Sequence, residues 1–191
     1  MTNLVKKTTS LAMHIVCGYT FPGSVIVDAT CGNGHDTLAL AETSPAKLYA
    51  FDIQQEAVNN TRSRLLQEGF GNRLADGTIS IICDSHRLMP EYVREKANVI
   101  VFNLGYLPGG DKTKTTCTEE TVSAVKAALD ILAKDGILCI TMYGGHEEGR
   151  REKERLLHLA ETLDRHVYHA AYIDFINQKN DPPDILLITG T

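Results

Sequence analysis

The chain has 191 residues and a formal net charge of −5. Its hydrophobic fraction of 43% and charged fraction of 23% are ordinary for a globular protein, and its length predicts a single domain over residues 1–191. The apolar runs are too short to span a bilayer, and no apolar signal core follows the first residues. The negative charge argues against a nucleic-acid binder that relies on bulk charge.

The cysteines indicate a reducing environment. The chain has five of them, and no two are spaced as Cys-x-x-Cys. An odd number without such pairs argues against a zinc ribbon and against a disulfide framework. We therefore predict no metal site and a cytoplasmic location.

Strand-like and helix-like segments alternate along the chain. In chain order, hydrophobic periodicity and turn signals predict a helix over 4–16, a strand over 24–29, a helix over 36–41, a strand over 47–52, a helix over 55–68, strands over 78–83 and 97–104, a polar loop over 105–118, a helix over 119–132, a strand over 137–143, a helix over 149–165, and strands over 167–177 and 184–189.

This order of elements predicts the fold class. Strands that alternate with helices indicate a parallel sheet. The short connection between the last two strands indicates an antiparallel pair, because a parallel crossover needs a dozen or more residues. We predict an α/β fold of the class I methyltransferase (Rossmann-like) type. It has a seven-stranded, mostly parallel sheet with one antiparallel strand and helices on both faces.

The segment after the first strand carries the strongest signal for a ligand. It reads Asp28-Ala29-Thr30-Cys31-Gly32-Asn33-Gly34. Glycines let the backbone turn sharply and lie against a ligand, and open α/β sheets bind ligands at the carboxyl ends of their strands. Asp52 ends the second strand, where its carboxylate can accept hydrogen bonds from ribose hydroxyls.

Three residues favour S-adenosylmethionine over a dinucleotide. Thr37 stands where the dinucleotide fingerprint has its third glycine. Asp36 is a poor neighbour for a pyrophosphate, but Asp28 and Asp36 suit the ammonium and sulfonium cations of S-adenosylmethionine. An alternative role for Asp36 is to cap the helix and complement its dipole.

Other predicted cofactor contacts follow the second and third strands. Gln54 comes just after Asp52 and could reach the ribose. Asp84-Ser85-His86 ends the third strand, where class I methyltransferases commonly meet the adenine. The alternative for this segment is a simple turn, because Asp and Ser favour turns.

The fourth strand leads into a candidate catalytic loop. Asn103-Leu104-Gly105-Tyr106 resembles the Asn-Pro-Pro-Tyr motif of amino-methyltransferases, with Leu104 and Gly105 in place of the prolines. The Asn103 amide oxygen and the Leu104 carbonyl could accept the N–H groups of an amine, and Tyr106 could stack on a base or face the cation. Alternatively, Asn103 ends the strand and Tyr106 packs in the core. Asp111 and His146 are candidate proton acceptors.

Three segments together resemble the bacterial tRNA 5-aminomethyl-2-thiouridine methyltransferase family, formerly labelled rRNA methylase. They are residues 28–37, 103–111 and 145–149. The resemblance implies methyl transfer from S-adenosylmethionine to the exocyclic amine of the wobble uridine, in the tRNA anticodon, by a homodimer. It also implies roles for two sets of residues. Asn103 and Tyr106 would face the amine, and the cofactor would contact Asn33, Asp36, Asp52, Gln54, Ser85 and His86, in addition to Gly32 of the turn.

The residues alone do not select RNA as the substrate. Basic side chains that could contact phosphate are Lys112, Lys114, Arg150, Arg151, Lys153 and Arg155. The glutamates between them fit an exposed helix with ion pairs equally well. Ribosomal RNA, a small-molecule amine, or a non-catalytic role as a cofactor sensor remain alternatives.

Overall fold

The computed structural model describes residues 4–105, 118–179 and 181–191. These residues form one seven-stranded sheet with the order β3-β2-β1-β4-β5-β7-β6. The strands are β1 Val25–Asp28, β2 Lys47–Asp52, β3 Ile79–Cys83, β4 Ala97–Asn103, β5 Leu132–Met142, β6 Tyr168–Ile173 and β7 Asp184–Gly190. The helices are α1 Thr8–Cys17, α2 His35–Glu42, α3 Gln55–Gln67, α4 Gly71–Ala75, α5 Met89–Tyr92, α6 Thr118–Ile131 and α7 Glu147–Glu161.

Strand directions confirm the predicted sheet. β1 pairs in parallel with β2 and β4, and further parallel pairs join β2 to β3 and β4 to β5. β7 is antiparallel to both of its neighbours, β5 and β6, so it is the one reversed strand. The chain order moves outward from β1 to β3 and then resumes with β4 on the other side of β1. The carboxyl ends of β1 and β4 therefore flank the switch point where such sheets bind ligands.

Helices cover both faces of the sheet, as predicted. Alternate residues of a strand point to opposite faces, and the four residues of β1 are all buried. Val27 belongs to the apolar core that includes α6 and α7, and Ile26 belongs to the core that includes α1, α2 and α3. A strand that is buried on both faces is expected to be a continuous apolar run, as β1 is up to Asp28.

Several element boundaries differ from the predictions. The first helix is divided into a short 3₁₀ turn over Leu4–Lys6 and α1. β5 begins at Leu132, five residues before the predicted position 137, because Leu132 pairs with Ala97 ahead of a register shift. β6 ends at Ile173, where its pairing with β7 ends. No helix in the described ranges is long and apolar enough to cross a membrane.

Candidate active site

The turn after β1 is held between the neighbouring strands by backbone hydrogen bonds. The Ala29 N–H donates to the Val101 carbonyl of β4, and the Cys31 N–H donates to the Phe51 carbonyl of β2, each at 2.8 Å. Cys31 is buried, and burial raises the pKa of its thiol well above the usual range. The turn is therefore fixed to the sheet on both sides and carries no ionised cysteine.

Gly34 is required because α3 packs directly against the turn. Its backbone has a φ of +77°, in the left-handed region, and it caps the start of α2. A Cβ atom at this position would lie 2.8 Å from the Thr61 Cα atom of α3. The Thr61 hydroxyl also donates to the Gly32 carbonyl at 3.0 Å. Gly34 thus serves contact with α3, a role that sequence reasoning did not identify.

Asp28 is a buried structural acid. It is 1% exposed, and its carboxylate accepts hydrogen bonds from the Thr37 hydroxyl at 2.5 Å and from the Thr30 N–H at 3.2 Å. Burial, with a smaller contribution from the nearby Asp36 charge, raises the pKa of Asp28 to about 7. Thr37 stands where the dinucleotide fingerprint has its third glycine. Its hydroxyl is the buried hydrogen-bond donor that offsets the free-energy cost of burying the Asp28 carboxyl group. Asp28 therefore braces the turn and is not an exposed partner for a cofactor cation.

Asp36 and Asn103 meet in the structure, although sequence reasoning assigned them to different roles. The Asn103 side-chain nitrogen donates to the Asp36 carboxylate at 3.1 Å, and the Asn103 N–H donates to the Thr30 hydroxyl at 2.7 Å. The amide oxygen of Asn103 is buried and has no donor among the described residues. Burial raises the pKa of Asp36, while Asn103 and His35 oppose this shift. Asn103 therefore offers a buried, unsatisfied acceptor at the end of β4.

Asp52 braces the same turn from β2. Its carboxylate accepts from the Gly32 N–H at 3.0 Å and from the Gln54 N–H at 2.9 Å. Gln54 is the residue before the first turn of α3. The two predicted residues lie together at the carboxyl end of β2, and Asp52 remains partly exposed there. The Asp52 carboxylate therefore lies beside the turn and keeps oxygen lone pairs that do not accept from these two backbone N–H groups.

The segment after β3 separates into a turn and an inward-facing histidine. Asp84 accepts from the Ser85 N–H at 2.7 Å and from the Tyr92 hydroxyl at 2.6 Å, and Tyr92 is the main cause of the lowered pKa of Asp84. The His86 ring lies 3.1 Å from the Ala29 carbonyl through Nδ1 and packs edge-on against Phe102. A carbonyl only accepts, so Nδ1 carries the proton. Burial lowers the pKa of His86, which favours the neutral ring.

Asn33 faces α3 and not the inside of the turn. Its side-chain oxygen accepts from Asn60 at 3.0 Å, and its carbonyl accepts from Arg64 Nε at 2.7 Å. Arg64 also lies 3.1 Å from the His35 ring. These residues line a shallow polar pocket together with Ser63 and Gln67. Asn33 is thus the predicted cofactor residue whose side chain forms a hydrogen bond on the outer side of the turn, to Asn60 of α3.

Several predicted residues of the catalytic loop cannot be compared with the structure. Tyr106, Asp111, Lys112 and Lys114 lie outside the described residues. His146 is described, and it caps α7: its Nδ1 accepts from the Gly149 N–H at 3.0 Å. That bond occupies the lone pair that a proton acceptor would use at this nitrogen, so the structure favours a capping role.

The basic residues of α7 are partly neutralised. Lys153 forms an ion pair with the buried Asp184, and Arg155 lies 3.5 Å from Glu119. Arg150 and Arg151 are exposed at the start of the helix. Of the predicted phosphate contacts on α7, only these last two are free of such ion pairs within the described chain. In the same part of the chain, no group of three or more His, Cys, Asp or Glu side chains could hold a metal ion.

Comparisons with known proteins agree with this fold. A family model described as "Putative rRNA methylase" matches residues 48–189. A Clostridium thermocellum structure described as a "putative rRNA-methylase" is 33% identical, with a TM-score of 0.90 over 97% of this chain and 98% of that one. A Streptococcus mutans "putative methyltransferase" in complex with SAH is 31% identical, with a TM-score of 0.87 over 97% of this chain and 99% of that one.

A curated relative carries a more specific name. The Arabidopsis thaliana protein named "tRNA (mnm(5)s(2)U34)-methyltransferase, chloroplastic" is 40% identical over an alignment of 159 residues, and the match covers 78% of this chain. The chain spans 57% of the length of that relative.

Proposed function

We propose that this chain, which belongs to the rRNA methylase family, is an S-adenosylmethionine-dependent enzyme that methylates an amine of tRNA. The proposed product is 5-methylaminomethyl-(2-thio)uridine, formed from 5-aminomethyl-(2-thio)uridine at the wobble position. The Asn103 amide oxygen, buried and without a donor among the described residues, is the observation that carries the proposal. It lies at the carboxyl end of β4, next to the turn that marks the cofactor site.

The residues around the turn fit S-adenosylmethionine. Asp36 supplies a carboxylate beside the turn, and Asp52 supplies a second, partly exposed one at the end of β2. Asp36 stands in the first turn of α2, where its charge would repel a pyrophosphate, which agrees with the replacement of the third glycine by the hydrogen-bonded Thr37. Family membership and the SAH complex of the Streptococcus mutans relative support the same cofactor. When bound, it supplies an electrophilic methyl group on a sulfonium sulfur.

The proposed chemistry assigns a role to Asn103. The amine nitrogen forms the new N–C bond, the electrons of the broken C–S bond stay on sulfur, and the positive charge passes from sulfur to nitrogen. The one proton lost is the ammonium proton, which is released to water before the transfer. The amide oxygen of Asn103 accepts a hydrogen bond from an N–H group of the amine and thereby directs the lone pair of the amine nitrogen. In this proposal, Tyr106 also faces the amine that accepts the methyl group.

The amine must be neutral before it can react. With a lysine-like pKa, deprotonation at neutral pH costs about 4 kcal/mol, from roughly 1.4 kcal/mol per unit over about 3 units. An ammonium group donates to a carbonyl more strongly than a neutral amine does, so the Asn103 oxygen alone does not favour deprotonation. Exclusion of water does, because burial penalises the charged form. The buried position of this atom meets that condition.

The Arabidopsis relative supports tRNA as the substrate. The test is nucleoside analysis of tRNA from a strain that lacks this protein. We expect unmethylated 5-aminomethyl-uridine derivatives to accumulate there, and purified protein with S-adenosylmethionine to convert them in vitro. An unchanged nucleoside profile would reject the tRNA assignment.

Ribosomal RNA and small amines remain the second candidate. The family description names rRNA, and the net charge of −5 favours a small substrate over a nucleic acid. Side-by-side assays on undermethylated tRNA, rRNA and simple alkylamines distinguish them, because only the true acceptor should show saturable methyl transfer.

We further propose a homodimer in the cytoplasm. β6 is an edge strand whose middle residues, His169, Ala170, Ala171 and Tyr172, are exposed. Natural proteins commonly cover or blunt such edges, and a second copy of the chain would cover this one. Sedimentation at micromolar concentration tests the dimer, and a monomer at that concentration would contradict it.

A further inference from the structure

We infer that Asp36 is a positioning residue that sets the orientation of the Asn103 side-chain amide, so that the amide oxygen faces the acceptor amine. The inference rests on the proposed N-methyltransferase function. It gives Asp36 a role on the acceptor side of the site, which differs from the predicted contact with the cofactor ammonium group.

The backbone of Asn103 is fixed on both sides. Its N–H donates to the Thr30 hydroxyl in the turn after β1, and its register partner in β5 is Thr141. The next N–H, that of Leu104, donates to the Thr141 carbonyl at 2.9 Å. The Cα–Cβ direction of Asn103 is therefore set by the sheet, and only rotation of the side chain remains to be determined.

A side-chain amide has two ends of nearly equal size but opposite hydrogen-bonding character, so packing alone does not choose between its two orientations. At Asn103, the NH₂ end lies 3.1 Å from the Asp36 carboxylate. If the amide were flipped, its oxygen would lie against an oxygen of the Asp36 carboxylate. Both atoms are hydrogen-bond acceptors, and no proton would lie between them. The carboxylate of Asp36 therefore selects the orientation in which NH₂ faces α2.

The selected orientation leaves the amide oxygen at the other end, buried and without a donor among the described residues. Buried acceptors are nearly always hydrogen-bonded in native proteins, so an exception of this kind calls for a partner that is not part of the described chain. An amine N–H is such a donor. With a carboxylate at position 36, the Asn103 side chain therefore presents its hydrogen-bond-accepting oxygen, and not its NH₂ group, to the amine that is methylated.

The surroundings of Asp36 suit this role. The titratable groups that interact with it are Asp28, His35 and Cys139, which belong to β1, α2 and β5. Asp28 is held by Thr37 and Thr30, and neither of these hydrogen bonds involves Asn103. Asp36 is thus the carboxylate that holds the Asn103 amide within the described residues.

The test compares four variants of the full chain in steady-state methylation of tRNA at saturating S-adenosylmethionine. Asp36→Leu removes the carboxylate that accepts the hydrogen bond from Asn103, while the side chain stays about the same size. We expect kcat to fall by about a hundredfold, the scale for a misplaced reacting group, with KM for tRNA changed by less than about threefold. Asp36→Asn retains an oxygen that can accept from Asn103 but can also flip, so an intermediate kcat is expected.

A double-mutant cycle separates positioning from cofactor binding. If Asp36 acts through Asn103, then Asp36→Leu should lower kcat by less than about twofold in an Asn103→Ala background, since coupled residues are not additive. Multiplicative losses, or a loss that appears only as weaker SAH binding with normal kcat, would overturn the inference. So would an Asp36→Asn variant as slow as Asp36→Leu.

A spectroscopic measurement on the ligand-free protein needs no activity. The side-chain NH₂ signals of Asn103 in a ¹⁵N–¹H spectrum are those lost in Asn103→Ala. They should move upfield in Asp36→Leu as the bond to the carboxylate is lost, and unmoved signals would overturn the inference. If the wild-type protein methylates no amine, the proposed function fails while this spectrum still decides whether Asp36 holds Asn103.

Discussion

Replacing Gly34 with alanine tests whether the turn after β1 is built around its contact with α3. The added methyl group would force a left-handed backbone on alanine, at roughly 1–2 kcal/mol. It would also lie 2.8 Å from the Thr61 Cα atom, a backbone neighbour that cannot rotate away. Overpacking of this kind costs typically about 1–3 kcal/mol. We expect Gly34→Ala to lower the free energy of unfolding by about 2–5 kcal/mol in total.

Gly77 provides a matched control. Its φ is +75°, nearly that of Gly34, but a Cβ atom there would meet nothing within 4 Å. Gly77→Ala should therefore show the backbone cost alone, and both variants share the same effect on the unfolded chain. Urea unfolding followed by circular dichroism measures the difference, provided the m-values agree. Equal destabilisation by the two variants, within about 0.5 kcal/mol, would refute the contact. SAH binding should weaken only in Gly34→Ala.

Three further outcomes follow from the site. Asn103→Ala should lower the rate of methyl transfer by about a hundredfold while SAH affinity, measured by calorimetry, stays unchanged; a normal rate would exclude Asn103 from catalysis. Burial raises the pKa of Asp28 to about 7, so its protonated form is favoured in the folded state, and its contribution to stability should fall as pH rises from about 4 to about 7. Thermal unfolding should show that Asp28→Asn loses this dependence, by at most about 4 kcal/mol from roughly 3 units, and a parallel pH profile would contradict the shift. Lys153→Met leaves the buried Asp184 without its cation and should cost about 1–3 kcal/mol in chemical denaturation, because the pair is only partly buried, whereas the double variant Lys153→Met/Asp184→Leu should regain much of it.

Local patterns predicted the elements whose causes are local. β2 has the predicted bounds, Lys47–Asp52, because its apolar residues and the residues that end it are neighbours in the sequence. The reversed strand β7 also followed from a local fact, the short connection after β6. By contrast, α4 and α5 have five and four residues, too few for a helical period to show in the sequence.

Long-range contacts account for what the sequence could not predict. The early start of β5 depends on pairing between Leu132 and Ala97, 35 positions apart in the chain (132 − 97). The bond between Asp36 and Asn103 joins residues 67 positions apart, and no spacing rule connects them. Sequence reasoning found both residues by their chemistry and assigned each a separate partner. Their mutual contact depends on β4 lying beside β1, which only the folded sheet establishes.

The buried thiol of Cys31 makes the turn after β1 unreactive toward oxidants and alkylating reagents, because the attacking species is the thiolate. Of the four cysteines in the described ranges, Cys17 and Cys83 are exposed. Cys83 ends β3, beside the Ile53 carbonyl and next to Asp84. A fluorophore attached there would sit at the same edge of the sheet as the candidate site without modifying the turn. With Cys17 and Cys117 replaced by serine, Cys83 would thus serve as a labelling position for following ligand binding in solution.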